Sequence, residues 1–364
     1  MSEESTEVKK VKNRWPLVAG PFIFIICTFL PSPDSYYPTL MLMVGITLWV
    51  ALWWLTEITH IAVTSFLPFI LIPATGIADI KVIAAQYMDP ILFLFIGGFM
   101  IAFSIEKWGL HRRLALGILS STGKSSSSIL FGIMFTTYFM SMWISNTATV
   151  MMLISAVLAV ILHLKNHIPD KEVHRKISSA LLIGLAYSAS IGGMATLVGT
   201  PTNMIFFRAY NEKFASEHPI NFINWMSFAF PMSLVLLVFT FLVLRYIYLR
   251  HIASVPFDPI IFKTDKLKLG KWTTDEKVVA FLFILTALLW FTRADLQIGA
   301  TTLKGWASLF PYPTQITDST VAVTVALLLF LIPSQTEKGR NLLSWNEASK
   351  LPYEIILLLV VDLP

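Results

Sequence analysis

The chain has 364 residues, 55% of them apolar and 13% charged, with a mean hydropathy of +0.70 and a formal net charge of +5. Soluble globular domains average about 25% charged residues, so this composition excludes a disordered chain, a fibrous repeat and a nucleic-acid binder and argues against a soluble enzyme. It points to a polytopic α-helical membrane protein, and the single cysteine, Cys27, excludes an intrachain disulfide.

Residues 1–14 are polar and end in Lys9, Lys10, Lys12 and Arg14. The apolar stretch Trp15–Leu30 runs into Pro31-Ser32-Pro33-Asp34 rather than a small-x-small cleavage site, so it reads as a retained first helix and not a signal peptide. Further apolar runs cover 38–56, 61–76, 90–105, 127–144, 148–164, 177–207, 224–249, 278–292 and 320–333, and a last one begins at Tyr353. Most have or approach the length needed to cross ~30 Å of hydrocarbon at ~1.5 Å per residue. Residues 109–119 are short and carry His111, Arg112 and Arg113 at one end, which suits an interfacial helix.

With the N-terminus in the cytoplasm and 127–164 entering and returning on one side, 22 of the 27 Lys and Arg residues fall in cytoplasmic segments. The outer segments hold Lys81, Arg208, Lys213, Arg293 and Lys304. That asymmetry supports the orientation and leaves open whether 127–164 is two spans or a re-entrant hairpin. An internal repeat is also present: Ile61–Pro73 aligns without gaps on Val321–Pro333 with 7 of 13 positions identical, and the Pro90-Ile-Leu-Phe-Leu-Phe95 that follows the first copy is echoed by Pro352 and the aliphatic run to Leu359. Internal repeats are typical of secondary transporters.

No Asp, Glu, Lys, Arg or His falls between Ser125 and Leu162 or between Ile177 and Phe207. Both stretches nevertheless carry polar residues in mid-run: Ser141, Ser145, Asn146, Thr147 and Thr149 in one, and Gly192, Gly193, Thr196, Gly199, Thr200, Pro201, Thr202 and Asn203 in the other. Ser145-Asn146-Thr147 favours a helix break, because all three side chains compete for backbone hydrogen bonds. Pro201 lacks an N–H and disfavours helix at Thr200, and Gly199 permits an open backbone. A break exposes carbonyls that suit Na⁺ and N–H groups at a positive helix end that suit a carboxylate, and two broken helices mark a midplane site. The plainer alternative is that these polar residues glue helices together and the proline is a kink.

Other candidates are weaker. Glu57-Ile58-Thr59-His60 has the Glu-x-x-His spacing of di-iron bundles but occurs once, so a structural placement near the interface, with Trp53 and Trp54 as anchors, is preferred. Lys124-Ser125-Ser126-Ser127-Ser128 reads as a solvated loop and helix start rather than a phosphate site. No nucleophile–base constellation occurs, so no enzyme and no catalytic residue are expected.

At these motifs the sequence resembles the divalent anion:sodium symporter family, the sodium-coupled dicarboxylate and citrate transporters. The matching text is Trp53–Glu57, Phe95–Phe99, Glu106–Leu110, Ser141–Thr149 and Gly199–Asn203. The resemblance implies an all-α polytopic fold of the inverted-repeat, elevator type. The Ser-Asn-Thr motif would lie at the tip of a re-entrant hairpin and the Gly-x-Pro motif at the break of the next helix. It implies that Ser141, Ser145, Asn146 and Gly199 hold a co-transported Na⁺. Asn146, Thr147, Thr200 and Pro201 would face a substrate carboxylate. Homodimerisation is implied as well. The expected organisation is scaffold helices with an interfacial helix in 1–125, then a transport half in 126–249. That half divides into hairpin 126–165, broken helix 177–210 and a following helix 224–249. A cytoplasmic linker at 250–277 and the start of a second scaffold at 278–364 complete the chain.

The expected function is sodium-coupled symport of small dianionic acids such as succinate, malate or fumarate, and conceivably citrate, across a cell membrane. The alternatives are a dicarboxylate exchanger of the same family and an inert membrane fragment. The tail Leu359-Val-Val-Asp-Leu-Pro364 equals a one-base-shifted reading of codons for Phe-Gly-Gly-Gly-Phe-Ala. The expectation is therefore that the chain is a frameshifted form of a transporter extending about 120 residues further and, lacking most of its second repeat, is inactive alone. The Lys/Arg asymmetry yields one expected outcome: with Cys27 replaced by serine, Ser127→Cys and Asn166→Cys should each be labelled only from the cytoplasmic side, and extracellular labelling of either overturns the orientation.

Overall fold

The apolar runs fold as helices. The structure, a computed structural model, describes residues 14–123, 125–168, 170–214, 220–250, 252, 260–298, 301–351 and 353. The described residues up to Asp89 form one unit and residues 90–351 another.

The first unit holds α1 (Trp15–Phe29), α2 (Leu40–Thr56), α3 (Ile61–Thr64), α4 (Leu67–Ala74) and α5 (Ile80–Gln86). Small residues let α1 and α2 approach. A Cβ on Gly20 would sit 2.3 Å from the Trp49 ring, and one on Gly45 2.8 Å from Cys27 Cβ. Trp53 Nε1 donates to the Pro16 carbonyl at 2.8 Å, so this tryptophan joins two helices. Glu57 ends α2 in the left-handed region (φ 45°), and His60 Nδ1 accepts from the Ala62 N–H at 3.3 Å to cap α3. The Glu57/His60 pair thus shapes a helix end. Ile46, Val50, Ile72 and Ile83 form the unit's buried core.

In the second unit α6 (Pro90–Lys107) is followed by α7 (Leu110–Leu119), α8 (Ser126–Ser141), α9 (Asn146–His167), α10 (Lys171–Met194) and α11 (Pro201–Phe214). Then come α12 (Phe222–Leu244), which continues as a π-helical turn over Arg245–Leu249, α13 (Ile260–Lys268) and α14 (Thr274–Arg293). A short hairpin of β1 (Leu296–Ile298) and β2 (Thr301–Leu303) leads to α15 (Asp318–Leu331) and α16 (Trp345–Ala348). Among the described residues, Ile80–Lys107, Asn146–Lys165, Lys171–Met194 and Phe222–Leu249 are long and apolar enough to cross a membrane.

Two buried clusters organise this unit. One is built from α7, α8, α9, α10 and α12, around Leu130, Met134, Tyr138, Val160, Leu181 and Leu237. The other joins α6, α14, α15 and α16, around Ile105, Leu282, Val325 and Leu329. The crossing of α6 and α15 is close enough that a Cβ on Gly97 would lie 2.7 Å from the Ala322 backbone. Gly109, at φ +69°, separates α6 from α7, a conformation that glycine adopts without strain. Helix α7 falls within the 109–119 stretch expected to lie at an interface.

The two copies of the internal repeat fold differently. The second is the single helix α15, whereas the first is interrupted at Ser65-Phe66 into α3 and α4. Pro68 accounts for this. It lacks an N–H, and it aligns with Leu328, which continues the helix in α15.

Long-range polar ties fix the helix ends. Arg113 of α7 is buried; its guanidinium donates to both carboxylate oxygens of Glu276 (3.0 Å each) and to the carbonyls of Leu269 and Gly270 (3.2 and 2.9 Å). Asp318, at the start of α15, accepts from the Phe222 N–H at 2.9 Å and pairs with Arg293. Removing one member of a buried pair strands the other charge. Arg113→Ala is therefore expected to destabilise the second unit by about 3–5 kcal/mol. The check is thermal unfolding in detergent, with Arg113→Ala/Glu276→Ala losing less than the sum of the single variants.

Candidate functional site

The site forms where two helical interruptions meet. Helix α8 ends at Ser141, the chain turns through Met142–Ser145, and α9 starts at Asn146. Ser145 is the N-cap of α9, its hydroxyl accepting from the Ala148 N–H at 3.3 Å. Ser141 Oγ donates to Asn146 Oδ1 at 2.7 Å, so the amide is held across the turn. Further along, α10 ends at Met194 and α11 begins at Pro201, leaving 195–200 outside regular helix. That interruption starts well before the Gly199-Thr200-Pro201 motif that announces it.

Glycine brings the two interruptions together. A Cβ on Gly193 would fall 2.4 Å from Asn146 Oδ1, and one on Gly199 would fall 2.5 Å from the Gly193 carbonyl oxygen. One turn away, a Cβ on Gly192 would be 2.2 Å from the Tyr138 carbonyl oxygen, so α8 and α10 touch backbone to backbone. Three side chains then secure the freed carbonyls. Asn203 Nδ2 donates to the carbonyls of Gly193 and Thr196 (2.8 and 2.7 Å), Thr196 Oγ1 donates to the Met142 carbonyl, and Trp225 Nε1 donates to the Met194 carbonyl at 3.1 Å.

Of the expected residues, the structure gathers Ser141, Asn146 and Gly199 around Gly193, with Ser145 adjacent as a cap. Thr147 is exposed on the first turn of α9. The Thr200 hydroxyl faces that of Thr202 at 3.2 Å, beside Pro201 at the start of α11. Gly193, Thr196 and Asn203 had no assigned role from sequence, although all three lie within the motif. Asn203 works backward across the break, to the carbonyls of Gly193 and Thr196.

The arrangement presents hydroxyl, amide and backbone oxygens, and no Asp, Glu, Lys, Arg or His lies in either sequence stretch. Two helix C-terminal ends (α8, α10) supply carbonyls and two N-terminal ends (α9, α11) supply N–H groups with partial positive charge. Neutral oxygens suit a hard monovalent cation, and the N-terminal ends suit an anion. Among the described residues, no group of three or more His, Cys, Asp and Glu is placed to hold a metal ion.

The close approach makes a test of the packing. Gly192→Ala forces α8 away from α10 and is expected to destabilise the protein by about 1–3 kcal/mol. Gly117→Ala in α7, where nothing lies within 4 Å of the added Cβ, should be neutral or stabilising by up to ~1 kcal/mol. Paired thermal melts in detergent check both.

The same chain regions carry a family likeness. Residues 11–362 match the sodium:sulfate symporter transmembrane region. The sodium-dependent dicarboxylate transporter SdcS of Staphylococcus saprophyticus is 37% identical over 347 residues, covering 94% of this chain and 64% of that protein. The SdcS proteins of two Staphylococcus aureus strains, NCTC 8325 and COL, are similar to the same extent. The chain thus spans somewhat under two thirds of the length of these relatives. A match over nearly all of its residues places it: the chain belongs to the sodium:sulfate symporter family of divalent anion:sodium symporters.

Proposed function

We propose that the chain takes part in sodium-coupled symport of small dicarboxylates, with four-carbon acids such as succinate, malate and fumarate as the substrate class. The observation that carries this reading is the Asn146 amide, held by Ser141 and enclosed by Gly193 at the junction of two interrupted helices. In the proposed cycle Na⁺ takes oxygens from Ser141, Ser145, Asn146 and Gly199. One carboxylate of the substrate meets the N-terminal ends of α9 and α11 near Asn146, Thr147, Thr200 and Pro201. Ser141 Oγ keeps lone pairs while its proton is donated to Asn146, so both oxygens remain available to a cation.

Charge balance favours sodium over protons as the coupling ion. A dianion entering a site without Lys or Arg needs compensation from a co-bound cation and from helix dipoles. Proton coupling ordinarily uses a buried carboxylate or His, and neither motif contains one. The names of the 37% identical relatives, sodium-dependent dicarboxylate transporters, support carboxylate over sulfate as substrate. Helix α8, with 16 residues, is about 24 Å long at ~1.5 Å per residue, short of a ~30 Å hydrocarbon core. That length supports a re-entrant α8, whereas the 22 residues of α9 have the length to cross. Elevator movement within a homodimer and a cytoplasmic N-terminus belong to the same reading and rest on the family resemblance and the Lys/Arg distribution.

Uptake of labelled succinate into proteoliposomes, by the chain extended to the length of its relatives, tests the proposal. An inward Na⁺ gradient should drive uptake that K⁺ does not, and Asn146→Ala should abolish it while leaving the protein folded. Normal transport by Asn146→Ala with unchanged Na⁺ dependence would contradict the site. The Na⁺ requirement should also persist from about pH 6 to 8, because no group in the two motifs titrates there.

A further inference from the structure

A separate cleft of about 1780 Å³ opens between the end of α7, the start of α8 and the end of α12 with its π-helical turn. It exceeds the ~300–1,000 Å³ of ordinary small-molecule pockets. Its apolar lining includes Phe131, Phe135, Phe239 and Leu242, and its polar lining Ser121, Ser126, Ser128, Arg245 and Arg250. No Asp or Glu is among the described residues that line it.

The polar lining has a built character. Helix α8, 16 residues long, directs its N-terminus here, capped by Ser125, whose hydroxyl accepts from the Ser128 N–H at 3.1 Å. Ser126 is 7% exposed, and its hydroxyl has no hydrogen-bond partner in the structure. A buried hydroxyl in that condition carries a desolvation penalty until a ligand or water engages it. The Arg250 guanidinium is held at the rim, donating to Tyr246 Oη at 2.6 Å and lying 4.7 Å from that ring's centre. Arg245, Tyr246 and Ile247 of the π-helical turn line the cleft; such turns frequently occur at functional sites. The serine run forms the start of α8 and also lines the cleft. The cations that complete it come from α12, more than a hundred residues away.

We propose that this cleft binds an anionic phospholipid, with the phosphate at the α8 N-terminus between Ser126, Arg245 and Arg250 and an acyl chain along the phenylalanines. The combination selects the occupant. Two cations and a helix N-terminus without a carboxylate favour a phosphate, and the apolar lining of the same cleft favours a lipid over a free anion. Arg245 and Arg250 belong to one of the basic segments expected in the cytoplasm from charge asymmetry, where anionic lipid head groups are met by basic pockets between helices.

Native mass spectrometry of the detergent-purified full chain, titrated with dioleoyl phosphatidylglycerol, tests this. Saturable binding of one lipid is expected, with phosphatidylcholine at least tenfold weaker. Arg245→Gln/Arg250→Gln should weaken phosphatidylglycerol about tenfold or more, and Ser126→Ala should weaken it by a smaller factor. Both arginines are exposed, so the double variant should keep the parental melting temperature without lipid, which separates a lost site from a lost fold. Equal binding of phosphatidylcholine, unchanged binding by the double variant, or full displacement of the lipid by millimolar inorganic phosphate would each overturn the proposal.

Discussion

An interrupted helix in an apolar environment must find partners for the carbonyls and N–H groups that it frees, and this requirement governs the second unit. The turn at Met142–Ser145 and the break at 195–200 meet it through one bond between them, local side chains and α12. Thr196 reaches from the break to the Met142 carbonyl, and Asn203 reaches back across the break to Gly193 and Thr196. Trp225 of α12 covers the Met194 carbonyl, and Ser145 caps α9. The Thr196 bond to Met142 ties the two interruptions to each other. The glycines at 192, 193 and 199 permit the required approach, since a Cβ at any of them would collide with backbone or with Asn146.

The same geometry makes a neutral site polar in two senses. Carbonyl-bearing ends of α8 and α10 and N–H-bearing ends of α9 and α11 converge without a fixed charge between them. Under the proposed function, a cation and an anion would then stabilise one another, and neither would be held firmly alone. Coupling would follow from that mutual requirement rather than from a titrating residue. The charged ties lie elsewhere: Arg113 with Glu276 and Asp318 with Arg293 fix α7, α14 and α15, so the unit keeps its ionic anchors away from the neutral junction.

Much of this is legible in the chain itself, for physical reasons. Helices are visible because apolar runs of membrane length have few other folds, and the two interruptions are visible because Asn146 and Pro201 stand out in ion-free text. Ser141, Asn146 and Gly199 could be singled out on that basis. The partners of the break could not, because Thr196 to Met142 and Trp225 to Met194 are tertiary contacts with no periodic signature. Local spacing places the Gly199-Thr200-Pro201 punctuation but not the start of the break, which lies at Ala195 because Asn203 holds the carbonyls of Gly193 and Thr196. Likewise, the unequal folding of the repeat copies depends on one residue, Pro68. The environment of Ser126 depends on α12, which no local reading of the serine run contains.

The central claim is that the Asn146 junction is a sodium site, and calorimetric titration of the purified chain with Na⁺ addresses it most directly. The account predicts a saturable binding isotherm for Na⁺ with choline or K⁺ as the background cation, strengthened by added succinate and abolished in Asn146→Ala. Sodium binding that survives Asn146→Ala unchanged, or a succinate effect that is indifferent to Na⁺, would contradict it.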